Sequence, residues 1–262
     1  MRAVPALTSV EARISEETPR DLRGVRLLRD ALGEAVVLAG REGPFARTPW
    51  EDDLAASRDL LAAAGARVAS AAVIPVTLAT DCSLALGTLP ALAPEVRVLW
   101  LDAHADYDTP ATSTLSFLGC MSLAGACGEW DSGLGAIDPA RVVHVGARGA
   151  PGEFDWAGEE ALRRSAATVL GVDDGGRAVA ALGSGPVYVH LDPDVLDPAV
   201  NPVPYGRPGG LGEEALLALL TAVAGRGPVA GIEVTAFHSS DDAEVRARMC
   251  ALLVRAVRAV AR

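Results

Sequence analysis

At 262 residues, half of them hydrophobic, the chain carries enough apolar material to bury the core of one large α/β domain spanning residues 1–262. Its net charge of -11 excludes the concentrated basic surface that nucleic-acid binding requires. No apolar run reaches the ~18 residues of a membrane span, and Met1 to Thr8 lacks the pattern of a signal peptide, so the expectation is a cytoplasmic protein with small-molecule partners.

Residues 1–20 show no clear periodicity. Further on, apolar β-branched runs alternate with Ala-, Leu-, Glu- and Arg-rich stretches of helical period, which predicts a mostly parallel sheet covered on both faces. In chain order the predicted elements are strand Ala35–Leu38, helix Pro49–Ala64, strand Ala72–Leu78, helix Ser83–Leu89, strand Val96–Leu101, helix Phe117–Ala126 and strand Val142–Ala147. Helix Glu153–Ser165, strand Thr168–Leu170, helix Gly175–Leu182, strand Val187–Leu191, helix Glu213–Ala224, strand Val229–Val234 and helix Asp241–Val260 complete the series. Cys82, Cys120, Cys127 and Cys250 are too sparse for a disulfide framework and form no CxxC pair, so they read as reduced thiols.

Parallel sheets bind ligands beyond the carboxyl ends of their strands. There the sequence places Asp81-Cys82, then Asp102-Ala103-His104-Ala105-Asp106, Arg148, Asp192-Pro193-Asp194, and Ala236 to His238. If the chain stays extended past Leu101, the side chains of Asp102, His104 and Asp106 share one face, and Asp192 and Asp194 repeat the device. Either segment alone is compatible with a solvated loop or turn. Together they bring four carboxylates and one imidazole to one site, a group that repels itself unless divalent cations neutralise it, and oxygen-rich ligation with little imidazole suits Mn²⁺. No glycine-rich phosphate loop of standard form follows the early strands, which argues against a nucleotide-binding protein.

The segments Asp102-Ala-His-Ala-Asp-Tyr-Asp-Thr-Pro110 and Asp192-Pro-Asp-Val-Leu-Asp-Pro198, followed by Pro208-Gly-Gly-Leu211, resemble the signature segments of the arginase and agmatinase (ureohydrolase) family. The resemblance runs from about residue 70 to the C-terminus. It implies a three-layer α/β/α fold, a binuclear Mn²⁺ cluster whose bridging hydroxide attacks a guanidinium carbon, and a homo-oligomer. Carried over residue by residue, Asp102 and Asp192 would bridge the metals. His104 and Asp194 would complete one of them, while Asp106 would bind the other and orient the hydroxide.

The sequence departs from that family at three places. Cys82 stands where the family has a histidine ligand; it is either a soft ligand that admits Zn²⁺ or a single metal, or a small buried residue under the sheet. The stretch Thr114 to Cys120 has no counterpart of the family's proton-shuttling histidine, and Ala236 occupies the position of the carboxylate that holds the substrate guanidinium. A buried guanidinium without a counter-charge is costly, so a less basic N-hydroxyguanidine, ureido or amide group is the expected substrate.

Asp108, Thr109 and Thr112 fall where the family contacts the amino-acid end of its substrate; Asp108 either favours an amine there or caps a turn. Arg148 either recognises an anion or makes a structural ion pair, His144 reads as a core residue, His190 as support for the cluster, and His238 as the substitute acid or base. The expected function is hydrolysis of a C–N bond in a guanidino-type small molecule, such as an arginine derivative or an agmatine-like amine. The alternative is an impaired relative serving as a binding or assembly subunit.

Overall fold

Apolar runs build a single sheet in the computed structural model, which describes residues 6–261 and so leaves Met1 to Pro5, part of the stretch read for a leader, outside the described residues. The strands are β1 (Ala6–Glu11), β2 (Val36–Ala39), β3 (Pro75–Leu78), β4 (Arg97–Leu101), β5 (Val142–Val145), β6 (Thr168–Leu170), β7 (Val187–Leu191) and β8 (Val229–Val234). Their order is β2-β1-β3-β8-β7-β4-β5-β6, and every pairing is parallel. The helices are α1 (Arg20–Leu32), α2 (Trp50–Ser70), α3 (Ala85–Thr88), α4 (Ser122–Ala126), α5 (Trp156–Arg164), α6 (Gly175–Leu182), α7 (Glu213–Arg226) and α8 (Ala243–Val260).

Two apolar layers flank the sheet. Leu99 and Leu101 of β4, with Val187, Val189 and Leu191 of β7, face one layer together with Val25 and Leu28 of α1, Leu216 and Leu220 of α7 and Leu252 and Leu253 of α8. Val98 and Trp100 of β4 and Tyr188 of β7 face the other, with Leu54 and Leu61 of α2, Leu86 of α3, Leu123 of α4 and Leu162 of α5. Period-two alternation on strands buried from both sides therefore yields the three-layer α/β/α fold.

The differences from the predicted elements have local causes. β1 and α1 were not anticipated. β1 buries Thr8, Ser9 and Glu11, polar residues that hide an apolar signal. In α1, Leu22, Val25 and Leu28 do repeat at helical spacing along the buried side, a signal that was available. α2 runs on to Ser70 because nothing before Ala71 breaks it, and Gly65 allows close contact with α3: a Cβ there would sit 2.1 Å from the Gly87 carbonyl oxygen. Two predicted helices are shorter and begin as 3-10 turns, Cys82–Leu84 before α3 and Gly119–Met121 before α4. β5 stops at Val145 because Gly146 adopts φ +115°, a left-handed conformation that ends the pleat.

Candidate metal centre

β3, β4, β7 and β8 are neighbours in the middle of the sheet, and the segments leaving their carboxyl ends line a cavity of about 510 Å³. Cys82, Asp102, His104, Asp106, Asp192, Asp194 and His238 all line it. The four aspartates are between 1% and 8% exposed, so their charges lie out of water and against one another.

Convergence is achieved by turns, not by the extended chain that the alternating spacing suggests. β4 ends at Leu101, and Asp102 Oδ1 then accepts a hydrogen bond from the His104 backbone N–H at 2.7 Å. Asp192 Oδ1 accepts from the Asp194 N–H at 2.8 Å, at the head of the 3-10 turn Pro193–Val195. Each motif thus closes the same Asx turn through Oδ1 of its first aspartate. Asp106 is driven further from the pleat, with φ 49°. That left-handed backbone is stabilised by its carbonyl, which accepts from the N–H groups of Leu123 and Ala124 at 3.0 and 3.1 Å. Ala236, also lining the cavity, shares φ 49°. Such strain in two non-glycine cavity residues is typical of a functional site.

Ligand atoms of Asp102, His104 and Asp194 lie within 4.8 Å of one another, and so do those of Cys82, Asp102 and His190. His104 Nδ1 is 2.8 Å from Asp194 Oδ2 and 3.7 Å from Asp102 Oδ1. Cys82 Sγ donates to Asp192 Oδ2 at 3.2 Å, and Ser122 Oγ donates to Asp106 Oδ2 at 3.2 Å. Burial, then the charge of Asp194, raises Asp102 to about 6. Burial and neighbouring carboxylates push Asp106 and Asp192 well above the usual range. Burial also opposes ionisation of Asp194, but His104 outweighs it and holds Asp194 at about 2. Burial disfavours a charged His104, yet Asp194 and Asp102 raise it well above its ordinary value. Protons thus take the place a cation would fill, and this oxygen-rich donor set with one imidazole fits divalent metal.

Behind the cluster, Trp100 Nε1 donates to Asp102 Oδ2 at 3.1 Å, and its ring stacks on His190 with centroids 3.5 Å apart. His190 Nδ1 is 2.6 Å from Glu233 Oε1, so the expected supporting role of His190 has a geometric basis. His144 is fully buried in β5, with Nε2 2.9 Å from the His104 carbonyl oxygen.

The four residues expected to contact substrate do not line the cavity. Arg148 donates to the carbonyls of Gly146, Asp194, Leu196 and Arg207, which clamps the loops around Asp194 and leaves no fork for an anion. Asp108 is 2% exposed and accepts from Thr112 Oγ1 at 3.2 Å, while the Thr109 N–H donates to the same hydroxyl at 2.9 Å. These three residues close a turn, because the chain at Asp108 packs against Gly158 and not toward the cluster. Instead part of the wall comes from the segment without periodicity and the start of α1: Glu16, Glu17 and Thr18, with Asp21, line the cavity. Only the acidity of Glu16, Glu17 and Asp21, close behind β1, marked this wall in the sequence.

The fold and acidic centre define a metal-dependent α/β hydrolase. Residues 38–259 match the family model described as the Arginase family, and the chain belongs to that family. It is 32% identical over 231 residues to N(omega)-hydroxy-L-arginine amidinohydrolase of Streptomyces lavendulae, covering 85% of this chain and 83% of that protein. It is 33% identical over 198 residues to proclavaminate amidinohydrolase of Streptomyces clavuligerus, covering 71% of this chain and 61% of the relative. The arginase of Bacillus subtilis superposes with a TM-score of 0.80 at 20% identity, covering 97% of each chain, which establishes the fold. This chain is accordingly an amidinohydrolase-type enzyme acting on a guanidino-type group, and a purely binding or assembly role is not favoured. Among the described residues no helix is long and apolar enough to cross a membrane.

Proposed function

We propose that the enzyme hydrolyses the guanidino carbon–nitrogen bond of an arginine derivative, with N-hydroxy-L-arginine as the first substrate to test. The observation that supports this most is the convergence of four buried aspartates and His104 in one cavity, in a chain similar to a hydroxyarginine amidinohydrolase. We further propose two Mn²⁺ ions as the native cofactor, which Cys82, Asp102, His104, Asp106, Asp192 and Asp194 would hold. When bound, such cations supply Lewis acidity that lowers the pKa of water and stabilises charge on the tetrahedral carbon.

The chain's own groups then position the reactants. Asp106, held through Oδ2 by Ser122, has its other oxygen to orient the attacking water and take its proton. His238, with Nδ1 3.3 Å from Asp21 Oδ1, is placed to return a proton to the leaving amine. Leu115, Phe117 and Phe154 line the same cavity and limit its access to bulk water. A homo-oligomer in the cytoplasm is the setting we propose.

Elemental analysis after Mn²⁺ loading, followed by assay of urea release from N-hydroxy-L-arginine, tests the reading. Two metals per chain with turnover are expected; absence of metal after loading overturns it.

A further inference from the structure

Resting on that hydrolase reading, we propose that Glu16, with Asp21 beside it, is the counter-charge that receives the cationic end group of the substrate. The site would therefore select an amidinium- or guanidinium-type cation over its neutral isostere.

Glu16 is 5% exposed and lines the cavity. Its Oε2 accepts from the backbone N–H groups of Ile14 and Ser15, both at 3.1 Å, whereas its Oε1 is buried with no hydrogen-bond partner among the described residues, near the like charge of Asp81. An unpartnered carboxylate oxygen in a cavity wall is costly unless a ligand completes it. The segment is also fixed against the metal centre. Asp81 Oδ2 accepts from both the N–H and the Oγ of Ser15 at 2.9 Å, and Asp81 Oδ1 caps the turn that carries Cys82. Glu16 and Cys82 are therefore each one residue from the same anchoring contact.

Nearby cations are committed elsewhere. Arg13 is bound to Asp53, Thr48 and the carbonyls of Ser15, Glu16 and Ala46, Arg20 to Asp241, and Arg47 to Glu17. Asp21, 4% exposed, has His238 Nδ1 3.3 Å from its Oδ1, and the charge of Asp81 acts on it as well. Burial, then the charge of Asp81, pushes the Glu16 carboxyl well up, a cost that a seated cation would remove. Ala236, which also lines the cavity, offers no charge, so the acidic wall at Glu16 and Asp21 supplies what that position lacks.

The test is calorimetric binding to the Mn²⁺-loaded enzyme of two probes: the acetamidine analogue of L-arginine, which is cationic, and its neutral acetamide counterpart. Wild type is expected to prefer the cation by roughly tenfold or more, and Glu16→Gln to reduce that preference to within about twofold while leaving affinity for the amide unchanged. Gln retains a carbonyl oxygen for the Ile14 and Ser15 N–H groups. If Glu16→Gln does not fold, Asp21→Asn decides, with a reduced preference supporting the proposal and an intact one overturning it. A wild type without preference, or Glu16→Gln with the full preference, also overturns it. Because the readout is binding and not turnover, failure here is separate from failure of the hydrolase assay.

Discussion

Cys82 Sγ lies 3.2 Å from Asp192 Oδ2 and 4.0 Å from Asp102 Oδ2, where the apolar layer on one face of the sheet meets the acidic centre. Burial, then Asp192, Asp106 and Asp102, pushes the thiol pKa well up, so a cation must displace its proton before sulfur can ligate. Replacement by imidazole removes that penalty. Cys82→His is expected to tighten Mn²⁺ binding at one position by about tenfold or more, measured by elemental analysis after dialysis and by Mn²⁺ paramagnetic titration. With Cd²⁺ the wild type should show an ultraviolet thiolate-to-metal band that Cys82→Ser lacks; no band in wild type would argue against sulfur ligation.

Glu233 is fully buried and accepts from Thr88 Oγ1 at 2.6 Å and Tyr188 Oη at 2.8 Å, besides contacting His190. Removing it strands three polar groups in the core. Glu233→Ala should therefore cost about 3–5 kcal/mol in urea unfolding, with Glu233→Gln costing less, and it should weaken metal binding through the loosened His190–Trp100 stack. An unchanged unfolding midpoint in Glu233→Ala would contradict this network.

The centre of the fold was legible because β4 and β7 are apolar runs that end abruptly in Asp-x-His-x-Asp and Asp-x-Asp. Their function-bearing spacing is readable even though the backbone route, an Asx turn in each, is not: a period-two pattern does not reveal where pleating stops. Glu16 and Asp21 were beyond reach for a different reason. Their position depends on long-range contacts, Ser15 with Asp81 and Asp21 with His238, that no local pattern encodes. Arg148 shows the opposite case: a structural role was among its readings, but its acceptors are main-chain carbonyls invisible in sequence and not the carboxylate of an ion pair.

Arg148 supplies the next expectation. Its guanidinium reaches the carbonyls of Asp194, Leu196 and Arg207 at once, and an ammonium cannot reproduce that fork. Arg148→Lys should lower stability by about 1–3 kcal/mol while leaving KM for the guanidino substrate within about twofold. Thermal unfolding and steady-state kinetics on the metal-loaded enzyme provide the two readings. A large rise in KM with unchanged stability would restore a substrate-binding role.

His144 gives the pH dependence. Burial holds its pKa down at about 3, despite the contact of Nε2 with the His104 carbonyl, against about 6.5 in an unfolded chain. The folded value is the lower one, so its contribution to stability is fully present above about pH 6.5 and is lost as pH falls toward about 3, with a limiting slope of about 1.4 kcal/mol per pH unit. His144→Gln keeps a donor for the His104 carbonyl but cannot be protonated, so its acid limb should be shallower by up to that slope. Urea unfolding of both proteins between about pH 4 and about pH 7, with chelator present throughout, isolates the difference because the aspartate cluster titrates in each. Parallel acid limbs would mean that His144 is already charged in the folded chain.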